Sequence, residues 1–196
     1  MILAWAIGCA PSAMLGTPLP LAMAPNGMGT PAEVSVALTG TGPVAEPQEG
    51  GCILLGGCEG LSGQISARFT WRERVDLGGV AFAGNTSGLG AGVYGRFWYV
   101  DNSRFRLGGE LQAGFAWVAA GVPIAGMVHE RVWITANPSI GLRSLSVMRV
   151  PMGVAIRLGE RTWLSAEMAV GWDPWRVFQD PEAVQLQGSA GVSRRF

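Results

Sequence analysis

Charged side chains recur on alternate positions through much of this chain, and that spacing is its first chemical signal. Arg68, Arg72, Arg96, Arg104, Arg106, Glu110, Arg149, Arg157 and Glu167 fall on the parity opposite to the apolar residues around them. A period of two puts such residues on one face of extended strands and their apolar neighbours on the other. Gathered around a narrow space of low dielectric, unpaired charges would be costly. Arginines are therefore expected to bridge Glu110 and Glu167, with water or an N-terminal segment satisfying the surplus. Two outcomes are open: a polar plug that holds the space shut, or an anion-preferring passage, because arginines outnumber acids in this set.

Other reactive groups lead nowhere catalytic. His129 is the single histidine, and no serine or carboxylate accompanies it in the pattern of a nucleophilic hydrolase. It falls at an expected turn, where interfacial polarity accounts for it. No Gly-rich phosphate loop follows a strand and opens a helix, so pairs such as Gly88-Leu89-Gly90 are strand glycines that ease curvature. Cys52 and Cys58 lack the neighbouring histidine or third cysteine that would complete a tetrahedral metal set. No catalytic, cofactor-binding or metal site is expected, and the chain is read as not an enzyme.

The elements that must carry the charges are long alternating strands. Leu61, Ile65, Ala67, Phe69 and Trp71 interleave with Ser62, Gln64, Ser66, Arg68, Thr70 and Arg72. Phe105, Leu107, Leu111, Ala113, Phe115 and Trp117 interleave with Arg106, Gly108, Glu110, Gln112 and Gly114, and a third run joins Leu164, Ala166, Met168, Val170 and Trp172. A tilted strand crosses a bilayer in roughly 9–11 residues, a length these runs reach, whereas strands of soluble sheets average about five or six. At the end of the chain Val184, Leu186, Gly188, Ala190 and Val192 alternate with Gln185, Gln187, Ser189, Gly191, Ser193 and Arg195 before the final Phe196. A last amphipathic strand closed by a terminal Phe resembles the insertion signal of bacterial outer-membrane β-barrel proteins, with Arg194 on the apolar parity as a departure. The resemblance implies barrel-insertion machinery and membrane lipid as partners, and the bacterial outer membrane as the location.

Composition agrees. Of 196 residues 48% are hydrophobic and only 14% charged, whereas charged residues make up about a quarter of an ordinary soluble domain. Thirty glycines argue against helices, and no uninterrupted apolar run of about 20 residues offers a transmembrane helix. The formal net charge is zero with no basic cluster, which speaks against nucleic acid.

Turn signals at Glu73-Arg74, Asp101-Asn102-Ser103, His129-Glu130 and Gly159-Glu160 mark one end. Loops are placed at the other end near 40–60, 84–87, 119–121, 143–145 and 173–182. With a strand through Val34, Val36 and Leu38, this gives an all-β, antiparallel, up-and-down transmembrane barrel of about ten strands. Eight is the alternative, because 122–128 is short and lacks clear alternation. An even number puts the short turns and both ends of the barrel on the periplasmic side. Phe69, Trp71, Phe97, Tyr99, Phe105 and Phe196 then form an aromatic girdle at that rim, with Trp117 and Trp172 at the other. Trp98, Trp133 and Trp163 land on the inner parity and are expected to plug the periplasmic end. Gly78-Gly79 breaks the alternation, so a bulge should swing Val80 and Phe82 to the lipid face. Pro138 and Pro151 each remove a ladder donor, which implies a distortion or a rim position.

Residues 1–32 are read as a signal remnant or Pro-rich tether, and 33–196 as the barrel. Ala6-Ile7-Gly8-Cys9 resembles a lipoprotein cleavage box, with Ala6 where Leu is more usual, and implies lipidation of Cys9. Met1 to Gly8 lacks the basic region and apolar core of a secretory signal, so the alternatives are a truncated start or an ordinary small apolar Cys9. Cys52 and Cys58 lie in one Gly-rich outer loop, and an oxidising envelope favours a disulfide between them.

The functional reading is a small outer-membrane barrel with a side-chain-filled lumen and a structural, scaffolding or interaction role, with other envelope proteins as partners. The alternatives are a minor channel for small anions or apolar solutes and a soluble lipocalin-like carrier.

Overall fold

In the computed structural model the described residues are 32–43, 60–71, 74–84, 88–114, 118–141, 148–172 and 184–196. Cys9, Cys52, Cys58, Arg72, Phe115, Trp117, the segment 1–31 and most of the long loops lie outside them.

All described elements are strands. They are β1 (Ala32–Pro43), β2 (Gly60–Trp71), β3 (Val75–Gly84), β4 (Gly88–Asp101), β5 (Phe105–Gly114), β6 (Val118–Gly121), β7 (Ile124–His129), β8 (Val132–Ala136), β9 (Ser139–Gly141), β10 (Met148–Arg157), β11 (Thr162–Trp172) and β12 (Val184–Arg195). Every pairing is antiparallel. β6 and β7 are two halves of one stave, since both pair with β5; β8 and β9 are likewise halves of the next stave, both pairing with β10. Because β12 pairs with β11 on one side and β1 on the other, the sheet closes into a barrel of ten staves. Closure leaves no unpaired sheet edge, as a lipid-exposed sheet requires.

The solvent arrangement is inverted relative to a soluble protein. Phe69, Leu111 and Met168 point outward and are 50%, 63% and 60% exposed, while Arg68 and Glu110 are buried inside. Val36, Leu38, Ile65, Val93 and Ile134 extend the outward apolar band. A lipocalin-like carrier buries its apolar residues and wets its exterior, so this surface overturns the soluble alternative. Phe69, Trp71, Phe97, Tyr99, Phe105 and Phe196 all face out near the short-turn end, with Phe97 and Tyr99 in edge-to-face contact at 5.3 Å.

Among the described residues, short turns fall at 101–105, 129–132 and 157–162, and Arg74 lies in a turn immediately before β3. Asn102 Oδ1 shapes one by accepting from the backbone N–H of Arg104 (2.9 Å) and Phe105 (2.7 Å). His129 is exposed in another, where its Nδ1 accepts from the Arg131 N–H at 3.4 Å.

Three local expectations are corrected. The register of β3 against β2 and β4 runs without interruption through Gly78-Gly79, so there is no bulge there and Val80 and Phe82 face the interior. The glycines leave room for rings from neighbouring positions: a Cβ at Gly78 would lie 2.2 Å from the Tyr94 ring, and one at Gly90 2.2 Å from that of Phe82. The bulge lies instead on β4, between Trp98 and Val100, and makes Tyr99 the extra residue. Second, Ala119–Gly121 belongs to a strand, paired with both β5 and β9. Third, Gly40–Pro43 continues β1 in register with β12 and does not begin a loop.

Prolines explain the weak alternation at 122–128. Gly108 N–H donates to Pro123 O at 2.9 Å, Val122 N–H to Pro138 O at 2.9 Å, and Asn137 N–H to Pro151 O at 3.1 Å. In each case a proline receives a ladder bond and has no N–H to return. Three adjacent inter-stave seams are thereby weakened at one level, which divides two staves into β6–β7 and β8–β9.

Candidate functional site: the charged lumen

At the short-turn end a hoop of side chains passes through the staves in order. Arg195 Nε on β12 donates to Glu33 Oε2 on β1 at 3.0 Å, and Arg68 Nη2 on β2 donates to the same oxygen at 2.6 Å. Arg68 Nη1 reaches Asp76 Oδ2 on β3 at 3.2 Å. Asp76 also accepts from Thr70 Oγ1 (2.7 Å) and from the indole Nε1 of Trp98 on β4 (2.8 Å). The guanidinium of Arg106 on β5 stacks 3.9 Å from the Trp98 ring and pairs with both carboxylate oxygens of Asp101 at 2.9 and 2.8 Å. Trp98 then packs with Ala125, Trp133, Ala155 and Trp163, and Arg195 lies 4.6 Å over the Trp163 ring, which returns the hoop to its start. Small Ala125 and Ala155 on intervening staves let the three indoles meet.

Further from the turns the interior is lopsided. On one wall Glu110 is the hub: it accepts from Arg96 Nε and Gln112 Nε2, and from Asn137 Nδ2 at 2.8 Å. Arg149 on β10 interacts electrostatically with Glu167 on β11 and with Glu110. Arg96 lies 5.0 Å over the Tyr94 ring, and its Nη1 and Nη2 have no hydrogen-bond partner among the described residues. The opposite wall carries small hydroxyl and amide side chains, among them Ser35, Thr39, Ser62, Ser66 and Ser189. The small hydroxyl side chains named here and the arginines Arg96, Arg106 and Arg149 are closed to solvent, with Arg96 and Arg106 each 1% exposed.

The structure places Arg68, Arg96, Arg106, Glu110 and Arg149 buried in the lumen and Glu167 half-buried on the same parity. Arg157 is half-buried at the turn-side rim. Arg104 is corrected: it is exposed in the β4–β5 turn, where Asn102 holds its backbone out of the strand alternation. The expected excess of arginine also shrinks. Glu33, Asp76 and Asp101 pair with arginines that had no assigned partner, so the charges balance nearly one for one. Glu33 and Asp76, which the sequence reading missed, and Arg195, which it put on the polar face but not among the inward charges, lie on the same inward parity, close to strand ends. Asn137 gave no such signal, because its stave is broken at Pro138.

No protein family's sequence profile matches this chain, and no curated protein matches it in sequence. Among solved structures it is similar to the NanC porin, with a TM-score of 0.56 at 7% identity over 83% of this chain and 100% of that one. It is also similar to the KdgM porin, with a TM-score of 0.51 at 10% identity over 84% and 99% of the two chains. At these identities the likeness is one of fold, a closed antiparallel barrel of the porin kind.

Proposed function

We propose that this chain is a small bacterial outer-membrane channel of low conductance, admitting small anionic solutes and constricted at its periplasmic end by the tryptophan–arginine hoop. The observation that carries the proposal is the lopsided lumen: Arg96 and Arg149 with their carboxylates on one wall face small hydroxyl side chains on the other. A barrel that had only to stay shut would gain more from large apolar side chains on both walls. The charged wall favours a solute whose negative charge competes with Glu110 and Glu167 for guanidinium donors. The fold shared with two porins supports the same reading.

Planar-bilayer recording tests it. The wild-type barrel should give small conductance steps with a reversal potential on the anion side under a salt gradient. Arg96→Gln should move that potential toward neutrality, and Trp133→Ala should enlarge the steps. A second reading, a permanently shut barrel with a structural role, is favoured by the closed hoop and by the solvent-inaccessible arginines. Absence of conductance in both the wild type and Trp133→Ala, with folding intact, would establish that reading instead.

A further inference from the structure

The outer wall of the barrel carries a groove that neither the lumen nor the ordinary lipid face explains. It has a volume of about 700 Å³; its outward-facing lining is Val75, Phe97, Tyr99, Leu107, Leu111 and Val122, and it is also bordered by Arg96 and Glu110, which stand on the inward parity of β4 and β5. Its origin is local. Gly95 and Gly109 stand on the outward parity of β4 and β5 and bring no side chain to the surface. The Trp98–Val100 bulge turns Tyr99 across the foot of the groove, with its hydroxyl 2.7 Å from where a Gly109 Cβ would be. Pro123 splits the next stave beside it.

We infer that this groove holds one acyl chain of a phospholipid whose phosphate is bound by Arg74 and Arg104. The groove opens within the outward apolar band, so a hydrocarbon chain is the occupant that its lining and its surroundings both match. It climbs from the short-turn rim at Val75 and Tyr99 to Leu111, midway along β5, roughly the depth of one leaflet. The two turns beside its foot carry the charge that a phospholipid needs. Arg74 immediately precedes Val75 of the lining, Arg104 lies in the turn leading to Leu107, and both side chains are exposed. Neither guanidinium enters an ion pair among the described residues. Tyr99, packed edge-to-face on Phe97, places an amphipathic ring at the junction of chain and headgroup, the usual depth for such a ring. Cationic side chains at that depth attract anionic headgroups. The site depends on the membrane face alone and is independent of whether the lumen conducts.

Native mass spectrometry of the full chain in detergent tests this, with dioleoyl phosphatidylglycerol and dioleoylglycerol as probes. The second keeps the acyl chains and lacks the phosphate. The wild type should retain one phosphatidylglycerol in clear preference to dioleoylglycerol. Replacing each arginine in Arg74→Gln/Arg104→Gln should weaken retention of phosphatidylglycerol by roughly fivefold and leave dioleoylglycerol unchanged. Gly95→Val should reduce retention of both, because a Cβ at Gly95 makes only ordinary 3.6 Å contact with Leu77 and the added methyls fill the groove. Equal retention of the two probes by the wild type, or retention unaffected by either variant, would overturn the site.

Discussion

Asn137 reaches across the break at Pro138 to donate its Nδ2 hydrogen to Glu110 Oε1 at 2.8 Å. The contact exists because Gly121, on the stave between them, has no side chain: a Cβ there would lie 2.6 Å from Asn137 Oδ1. Gly121→Ala and Asn137→Ala should therefore destabilise the same interaction. A buried hydrogen bond to a carboxylate contributes roughly 1.5–3 kcal/mol, so each variant should lower stability in about that range, and the double variant should fall well short of the sum. Urea unfolding of the lipid-reconstituted barrel, followed by tryptophan fluorescence, measures both the singles and their coupling.

Glu33 ties the first stave to its neighbours on both sides, through Arg68 of β2 and Arg195 of β12. Removing the carboxylate takes one buried ionic contact from Arg195 and one from Arg68. Breaking a buried pair in this way costs roughly 3–5 kcal/mol. Glu33→Ala should therefore unfold at markedly lower urea than wild type and lose the heat-dependent gel shift of a folded barrel at lower temperature. Glu33→Gln, which keeps an acceptor without the charge, should recover part of the loss.

Phe82 and Tyr94 cover glycines on paired strands, with their rings where a Cβ of Gly90 or Gly78 would be. Gly78→Ala and Gly90→Ala must displace a ring, and overpacking of this kind costs roughly 1–3 kcal/mol. Gly188→Ala is the matched control, since a Cβ there meets nothing within 4 Å. It should leave the unfolding midpoint unchanged within about 0.5 kcal/mol. Equal midpoints for all three variants would show that the rings do not depend on the glycines.

These glycines also mark where alternation in the sequence stops being informative. Gly78-Gly79 reads as a fault because a glycine carries no facing information, and only the register with β4 shows Tyr94 filling the space. The barrel and its stave number were legible because Phe69, Leu111 and Met168 keep strict parity with Arg68, Glu110 and Glu167 over spans set by the bilayer, whereas Arg104 follows the same parity in sequence and lies exposed in a turn. The ionic partners were not. Which carboxylate meets which arginine depends on inter-strand register, and Glu33 meets Arg195 from the opposite end of the chain. Pro138 and Pro151 signalled distortion singly; that they align with Pro123 on adjacent staves is a property of the closed sheet alone.

The membrane face itself has a depth-dependent signature. Leu111 lies midway along β5 and Phe105 at its turn-side end, and both side chains point outward. An arginine at the bilayer midplane costs roughly 2–4 kcal/mol, and near the interface about 0–1 kcal/mol, because there the guanidinium reaches headgroups and water. Leu111→Arg should therefore shift the urea midpoint for folding into phosphatidylcholine vesicles far more than Phe105→Arg does. In a thick detergent micelle, where water and charge penetrate more readily, the difference should narrow. An exterior facing water would tolerate both arginines alike, so equal and small shifts in vesicles would be incompatible with a hydrocarbon-facing wall.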